Sequence, residues 1–221
     1  VEDELESLVR GLQSGDHEAR PTGKEIGVVE YRDDLLNQYI DYVVSTCRER
    51  FDGMKIVLDC ANGAAYEAMP KVLRRLGAEV KVIHALPNGV NINDGCGSTH
   101  LDSLRRTVLE CGADIGIAHD GDADRCFVID EKGEPVTPSA VTALVAEREI
   151  ARAKAEGNEE PVIIYNLITS KAVPELVEKL GGRAVKTRVG HSFIKAVMAE
   201  ENGVFGGEHS AHYYFKDFFN A

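Results

Sequence analysis

The stretch Asp120-Gly-Asp-Ala-Asp-Arg125 concentrates the chemistry of this sequence. Three carboxylates alternate with two small residues, directly after the apolar run Ile115-Gly-Ile-Ala118. In an extended segment alternate side chains share a face, so Asp120, Asp122 and Asp124 converge on one point. Carboxylates that close repel one another unless a cation sits among them. An all-oxygen donor set suits a hard ion, Mg²⁺ first and Mn²⁺ or Ca²⁺ next. Gly121 and Ala123 leave room for the ion and for a group bound to it. Arg125 adds a planar fork of donors that matches a phosphate beside the metal. A calcium hand loop is the rival, since Glu131 stands twelfth counting from Asp120. It fails because Arg125 occupies the position that loop gives to Gly, and because 126–129 reads as strand.

Three further stretches carry chemistry. Residues 186–195, Lys-Thr-Arg-Val-Gly-His-Ser-Phe-Ile-Lys, leave a strand and enter a helix. Gly190 permits a tight approach, His191 and Ser192 open the helix, and helix N-termini favour anions. With Lys186, Thr187 and Arg188 this predicts a phosphate or sugar site, against the rival of an ordinary capped helix. Residues 206–215 place Glu208 and Ser210 on one face of an extended loop, a spacing that suits two neighbouring sugar hydroxyls. His209 and His212 suggest zinc, but no third ligand converges with them. Asn62 and Gly63 end a buried strand, where open α/β sheets face their ligands, against the equal rival of a plain turn. The polar stretch 88–100 has room to wrap near the aspartate loop, but its expected job is structural. It has no Gly-Lys-Ser/Thr and is not a phosphate loop; Thr99 reads as a helix cap, with Asp102 three residues on.

The elements that position these residues alternate. A helix over 1–12 and a polar connector over 13–32 come first. Asp33 or Asp34 caps a helix through about Arg50, with Leu36, Ile40, Val43 and Cys47 on its buried face. Strands follow at 55–59, 79–84 and 115–118, with helices at 66–76 and through Leu109, stopped by Gly77 and Gly112. Residues 126–136 read as a hairpin. The pattern restarts with a helix at 138–155, a strand at 162–165, a helix at 170–180, a strand at 183–187, a helix near 192–201 and strand-like runs near 203–206 and 212–215. Strand, helix, glycine stop, strand is the signature of a layered α/β sheet. The fold class is therefore α/β: two consecutive three-layer α/β/α domains with mixed sheets. The divisions are 1–22 as a remnant of a preceding domain plus connector, 23–135 around the aspartate loop, and 136–221 around Glu208.

A chain of 221 residues with 43% hydrophobic content can fill two cores. A net charge of −12 disfavours nucleic acid and anionic membranes as partners. Five scattered cysteines without C-x-x-C fit a reducing, cytoplasmic setting. No apolar run approaches ~20 residues, so no membrane span is expected. No stretch reads as a signal peptide, so none is expected. The opening Val1, inside an acidic helix-like stretch, reads as an excised piece of something longer.

Taken together, these motifs resemble the α-D-phosphohexomutase family. Asp120-Gly-Asp-Ala-Asp-Arg125 resembles its metal loop, Gly207-Glu-His-Ser210 its sugar-hydroxyl loop, and Thr187 to Ser192 the segment between. The resemblance implies Mg²⁺ held by Asp120, Asp122 and Asp124, and a hexose or hexosamine phosphate gripped by Glu208 and Ser210. Arg125 and His191 would play supporting roles. It implies phosphoryl transfer between the 1- and 6-positions through a phosphoserine in a Ser-His-Asn-Pro loop of a first domain, with a phosphate clamp in a fourth. No Ser-His-Asn-Pro occurs here, so the chain corresponds to domains two and three and is expected to be inactive alone. The missing first and fourth domains are then its partners. Residues 1–119 look more like phosphoglucosamine mutases and 126–221 more like phosphomannomutases. A natural intermediate, an ancestral-type reconstruction and a deliberate hybrid all fit that pattern. Ala211 stands where the family usually has Gly. The rival functions are a metal-dependent aspartyl phosphatase at Asp120 or Asp122, disfavoured by the mid-chain motif and by Asp124, and a non-catalytic sugar-phosphate-binding scaffold.

Overall fold

A computed structural model describes residues 2–15, 22–32 and 34–218. The chain divides by compactness at Leu35/Leu36. The first unit carries α1 (Glu2–Gln13) and one short 3-10 turn at Gly23–Glu25. The candidate cap Asp33 and residues 16–21 of the connector lie outside the described residues. The second unit holds both sheets.

α2 (Asp34–Thr46) ends four residues before the expected Arg50. The Ser45 and Thr46 hydroxyls donate to the Tyr42 and Val43 carbonyls, satisfying groups that a further turn would otherwise use. Its apolar face is the expected one: Ile40 is buried against Ala68, Val72 and Leu76, with Leu36, Val43 and Cys47 beside it.

The first sheet has the order β2-β1-β3-β4-β5. It comprises β1 (Lys55–Asp59), β2 (Glu79–Ile83), β3 (Ile115–Ala118), β4 (Phe127–Ile129) and β5 (Pro135–Val136). β1 pairs parallel with both β2 and β3, so Leu58 lies between Val82 and Ile117 and Asp59 between Ile83 and Ala118. β4 and β5 add antiparallel, and Pro135 sits on the edge strand, where its missing N–H costs nothing. Alternation along β1 sends Ile56 and Leu58 to one face and Val57 to the other. The first face packs with Leu73 of α3 (Ala65–Arg75). The second packs with Leu104 and Val108 of α4 (Asp102–Cys111). Gly112 ends α4 in the left-handed conformation, φ +56.

Thr99 is not the cap of α4. It belongs to a 3-10 turn at Gly97–Thr99, and its hydroxyl pairs with His100 Nδ1 at 3.1 Å. Leu101 takes the cap position without a side-chain bond. The intervening turn leaves Thr99 too far upstream.

The second sheet has the order β7-β6-β8-β9: β6 (Val162–Asn166), β7 (Arg183–Thr187), β8 (Phe205–Gly207) and β9 (Tyr213–Phe215). β6 is parallel to β7 and β8, and β9 returns antiparallel. Ile163 and Phe205 pack with Ile150 of α5 (Pro138–Ala155) and Val177 of α6 (Ala172–Lys179). Ile164 packs on the other face with Ile194 and Met198 of α7 (His191–Glu200). Thr137 caps α5, its hydroxyl accepting from the Ala140 N–H ahead of Pro138. Both domains are therefore α/β/α with mixed sheets.

Two substitutions separate backbone strain from core packing. Gly112→Ala meets nothing within 4 Å, so it should cost only the left-handed penalty of about 1–2 kcal/mol. Leu104→Ala, in a fully buried site, should cost about 2–5 kcal/mol. Urea denaturation measures both, and equal costs would contradict this account.

Candidate active site

Asp120 lies just past the C-terminal end of β3, and its loop is curled rather than extended. The Ala123 N–H donates to the Asp120 carbonyl at 3.2 Å, with Ala123 left-handed at φ +63. His119, buried, closes the loop through Nδ1 to the Arg125 carbonyl at 2.9 Å. The convergence read from strand alternation is thus produced by a turn. One oxygen from each of Asp120, Asp122 and Asp124 lies within 4.8 Å of the others.

Arg125 donates twice to Asp120, from its backbone N–H at 3.1 Å and from Nε at 2.6 Å. Burial pushes the Asp120 pKa up, but the Arg125 bonds outweigh it and hold the group below the usual carboxylate value. Asp122 is exposed, and its pKa is pushed up by the hydrogen bond shared with Asp120 and by the charges of Asp124 and Asp120. The Arg125 fork is committed chiefly to Asp120, with Nε also 3.6 Å from Asp124. Gly121 does not open space for an ion. A Cβ there would stand 2.7 Å from Ile92, and its carbonyl accepts the Ala64 N–H at 2.8 Å. A Cβ on Gly63 would lie 2.2 Å from that same carbonyl. The 88–100 stretch does wrap here, with the Asn93 N–H donating to Ala61 and the Ser98 N–H to His119.

The loop after β8 is a tight turn, not an extended strip with Glu208 and Ser210 on one face. The Ala211 N–H donates to the Glu208 carbonyl, and the Glu208 N–H to the His212 carbonyl. Ala211 is buried and left-handed, φ +69. Glu208 is 2% exposed. Its carboxylate accepts from Asn166 Nδ2 at 2.9 Å, Tyr214 OH at 2.8 Å and the Gly190 N–H at 3.3 Å. Burial, then the bond to Glu208, push the Tyr214 phenol upward. Ser210 Oγ pairs with His212 Nδ1 at 2.8 Å, and His212 Nε2 reaches Asp124 at 3.0 Å. The Cys126 N–H donates to the Ala211 carbonyl at 3.1 Å.

Gly190 joins Glu208 to the start of α7, where His191 is exposed. Lys186 is exposed and Thr187 half-buried. The Arg188 guanidinium stacks 4.1 Å above Phe193. The sequence reading missed three participants: His212, which it weighed only for zinc, and Asn166 and Tyr214, which reach Glu208 from neighbouring strands. The two-residue spacing from Ser210 to His212 was the one available signal. Among the described residues a second cluster, Asp59, His84 and Cys96, also brings ligand atoms within 4.8 Å. Nothing in its spacing announces it.

Residues 37–133 match the family description "Phosphoglucomutase/phosphomannomutase, alpha/beta/alpha domain II" and residues 137–221 match "alpha/beta/alpha domain III". The chain belongs to this family. It is 41% identical over 212 residues to a phosphoglucosamine mutase of Streptomyces coelicolor, covering 96% of this chain and 46% of that protein. It is 42% identical over 215 residues to the phosphoglucosamine mutase of Desulforamulus reducens, covering 96% and 48%. The chain therefore spans about half the length of the curated relatives it matches. A phosphoglucomutase/phosphomannomutase family protein from Burkholderia thailandensis superimposes with a TM-score of 0.82 at 27% identity, covering 97% of this chain and 45% of that one. The N-acetylphosphoglucosamine mutase of Aspergillus fumigatus, solved with GlcNAc-6P and magnesium, shares the fold with a TM-score of 0.65 at 18% identity over 84% and 38%.

Crowding at Asp122 generates a signed prediction. Its raised pKa means that the metal-free fold loses stability as pH rises through that value. Asp122→Asn should therefore stabilise the metal-free protein near pH 7, by less than about 1 kcal/mol because the group is exposed, and raise its melting temperature accordingly. The gain should vanish at acidic pH, where Asp122 is protonated in both states. A gain that grows on acidification would contradict the crowding argument.

Proposed function

We propose that this chain is the metal- and sugar-binding core of a phosphohexomutase, which moves a phosphoryl group between the 1- and 6-positions of a hexosamine phosphate. One observation carries the reading: the aspartate loop of the first sheet and the Glu208–His212 turn of the second meet through His212 and Asp124. The length of the match to phosphoglucosamine mutases, across both sheets, supports an amino sugar. The domain reading is 23–135 for the metal half and 136–221 for the sugar half, with 1–22 as remnant and connector. A free, anionic sugar phosphate in the cytoplasm fits better than nucleic acid or a membrane. Among the described residues no helix is long and apolar enough to cross a membrane.

The residues fit Mg²⁺. All donors are carboxylate oxygens, and the raised pKa of Asp122 marks a place short of positive charge. Asp120, Asp122 and Asp124 would hold the ion, which supplies positive charge against phosphoryl oxygens. Arg125 keeps Asp120 ionised and aimed. His212 orients Asp124 and Ser210 together, so metal and sugar ligands share one hydrogen-bonded chain. Glu208, pinned on three sides, offers a fixed acceptor to a sugar hydroxyl. Lys186, Thr187, Arg188, Gly190 and His191 lie around the start of α7 as candidate phosphate contacts. The phosphoryl carrier this reading needs is a Ser-His-Asn-Pro loop, which these 221 residues do not contain. The first and fourth domains of the family are the partners that would complete the site.

Mn²⁺ relaxation titration tests the metal half. Asp122→Asn with Asp124→Asn should abolish binding, and unchanged affinity would place the ion elsewhere. Glucosamine 6-phosphate should shift NMR resonances of residues 206–212, weakly in Ser210→Ala and Glu208→Gln. Glu208→Ala is the poorer probe, since stranding Asn166 and Tyr214 costs about 1–3 kcal/mol per buried group. The 221-residue chain alone should not convert glucosamine 6-phosphate to the 1-phosphate with Mg²⁺ and catalytic bisphosphate. Turnover lost in Asp122→Asn would falsify the need for an added carrier.

A further inference from the structure

We infer that Asp59, His84 and Cys96 form a second metal site, one that takes a borderline-soft divalent ion of the Zn²⁺ type. The inference stands apart from the mutase reading and uses none of its residues. The three side chains come from separate segments: the end of β1, the residue after β2, and the loop before the Gly97–Thr99 turn. One ligand atom from each lies within 4.8 Å of the other two.

The backbone brings them there at some expense. His84 is left-handed at φ +47, and its carbonyl accepts the Asn62 N–H at 2.6 Å. His84 Nδ1 then lies 2.9 Å from Asp59 Oδ2. Asn62, itself at φ +47, reaches Cys96 Sγ through Nδ2 at 3.7 Å. A Cβ on Gly97 would stand 2.6 Å from the Ala61 methyl and 2.8 Å from the His119 carbonyl, so only glycine lets Cys96 approach this closely. Asp59 and Cys96 are fully buried, while the His84 side chain is 30% exposed. The site thus has a closed floor and one imidazole at its mouth. An ion enters by opening the His84 Nδ1 contact to Asp59, on the side where the imidazole meets solvent.

The donor set decides the ion. Carboxylate, imidazole and thiol together suit Zn²⁺, whereas the three oxygens of the aspartate loop suit Mg²⁺. Three protein ligands leave a fourth tetrahedral position for water, the pattern of an exchangeable site. On binding, the Cys96 thiol gives its proton to solvent and His84 carries its own on Nε2. The Asp59 carbonyl accepts the His119 N–H at 3.0 Å. An ion here therefore braces the residue that starts the aspartate loop.

Cobalt reads this site directly. Reduced, metal-free 221-residue chain titrated with Co²⁺ should develop a sulfur-to-cobalt charge-transfer band in the near ultraviolet, saturating at one equivalent and reversed by Zn²⁺. Cys96→Ser should remove the band. Cys111→Ser, at the exposed thiol, should leave it. The Asp122→Asn, Asp124→Asn double variant should also leave it, which separates this site from the proposed Mg²⁺ site. His84→Gln should weaken cobalt binding about tenfold or more. Folding of each variant is checked by far-ultraviolet circular dichroism. If Cys96→Ser does not fold, His84→Gln decides, and unchanged cobalt affinity overturns the proposal. So does the absence of a band at saturating Co²⁺, a band that survives Cys96→Ser, or one that disappears with Cys111→Ser or with the aspartate double variant.

Discussion

Mutual repulsion among three carboxylates held within 4.8 Å is the constraint that the rest of this structure answers. Left to themselves Asp120, Asp122 and Asp124 would splay apart. Arg125 offsets the first and His212 the third, so the excess falls on Asp122. A concentration of like charge is sustainable only on a rigid support. β1 and β3 provide it: Val57, Leu58 and Ala118 are fully buried, and apolar clusters pack both faces of the sheet.

The second support is the buried carboxylate of Asp59. It accepts from the Ala61 N–H, the Gly97 N–H and His84 Nδ1. Three donors offset the cost of taking a carboxylate out of water. They also tie the ends of β1 and β2 and the 97–99 turn to one point, beside the start of the aspartate loop. The second sheet repeats the device with Glu208, buried among Asn166, Tyr214 and Gly190. In both halves a buried acid holds the surrounding loops to one point.

Local patterns in the sequence carried the layered architecture and nearly every strand. The run 55–59 is apolar enough to be central, and Gly77 and Gly112 mark where helices must stop. The aspartate cluster was legible because its ligands are neighbours in the chain. Legibility failed where side chains outcompete pattern. Ser45 and Thr46 end α2 early by bonding backward, and a 3-10 turn displaces Thr99 from its cap. Glu208 and Ser210 obey a turn rather than strand alternation. Asp59, His84 and Cys96 gave no sign because only the packing of three distant segments brings them together. His212 was weighed as a zinc ligand because its real neighbour, Asp124, lies 88 positions away in the chain.

Gly63 and Gly121 meet back to back, and what a methyl on Gly63 would strike is the other's main chain, not a side chain. An ordinary packing clash can be relieved by trimming the opposing side chain. Here there is none to trim, so no second-site change at the opposing residue compensates. The constraint is one-sided: Gly63 is held by main chain, whereas a Cβ on Gly121 would meet the Ile92 and Asn93 side chains, which can be trimmed. Diversification of this crevice therefore leaves Gly63 in place and runs through Gly121 and its neighbour Ile92, where side chains set the spacing.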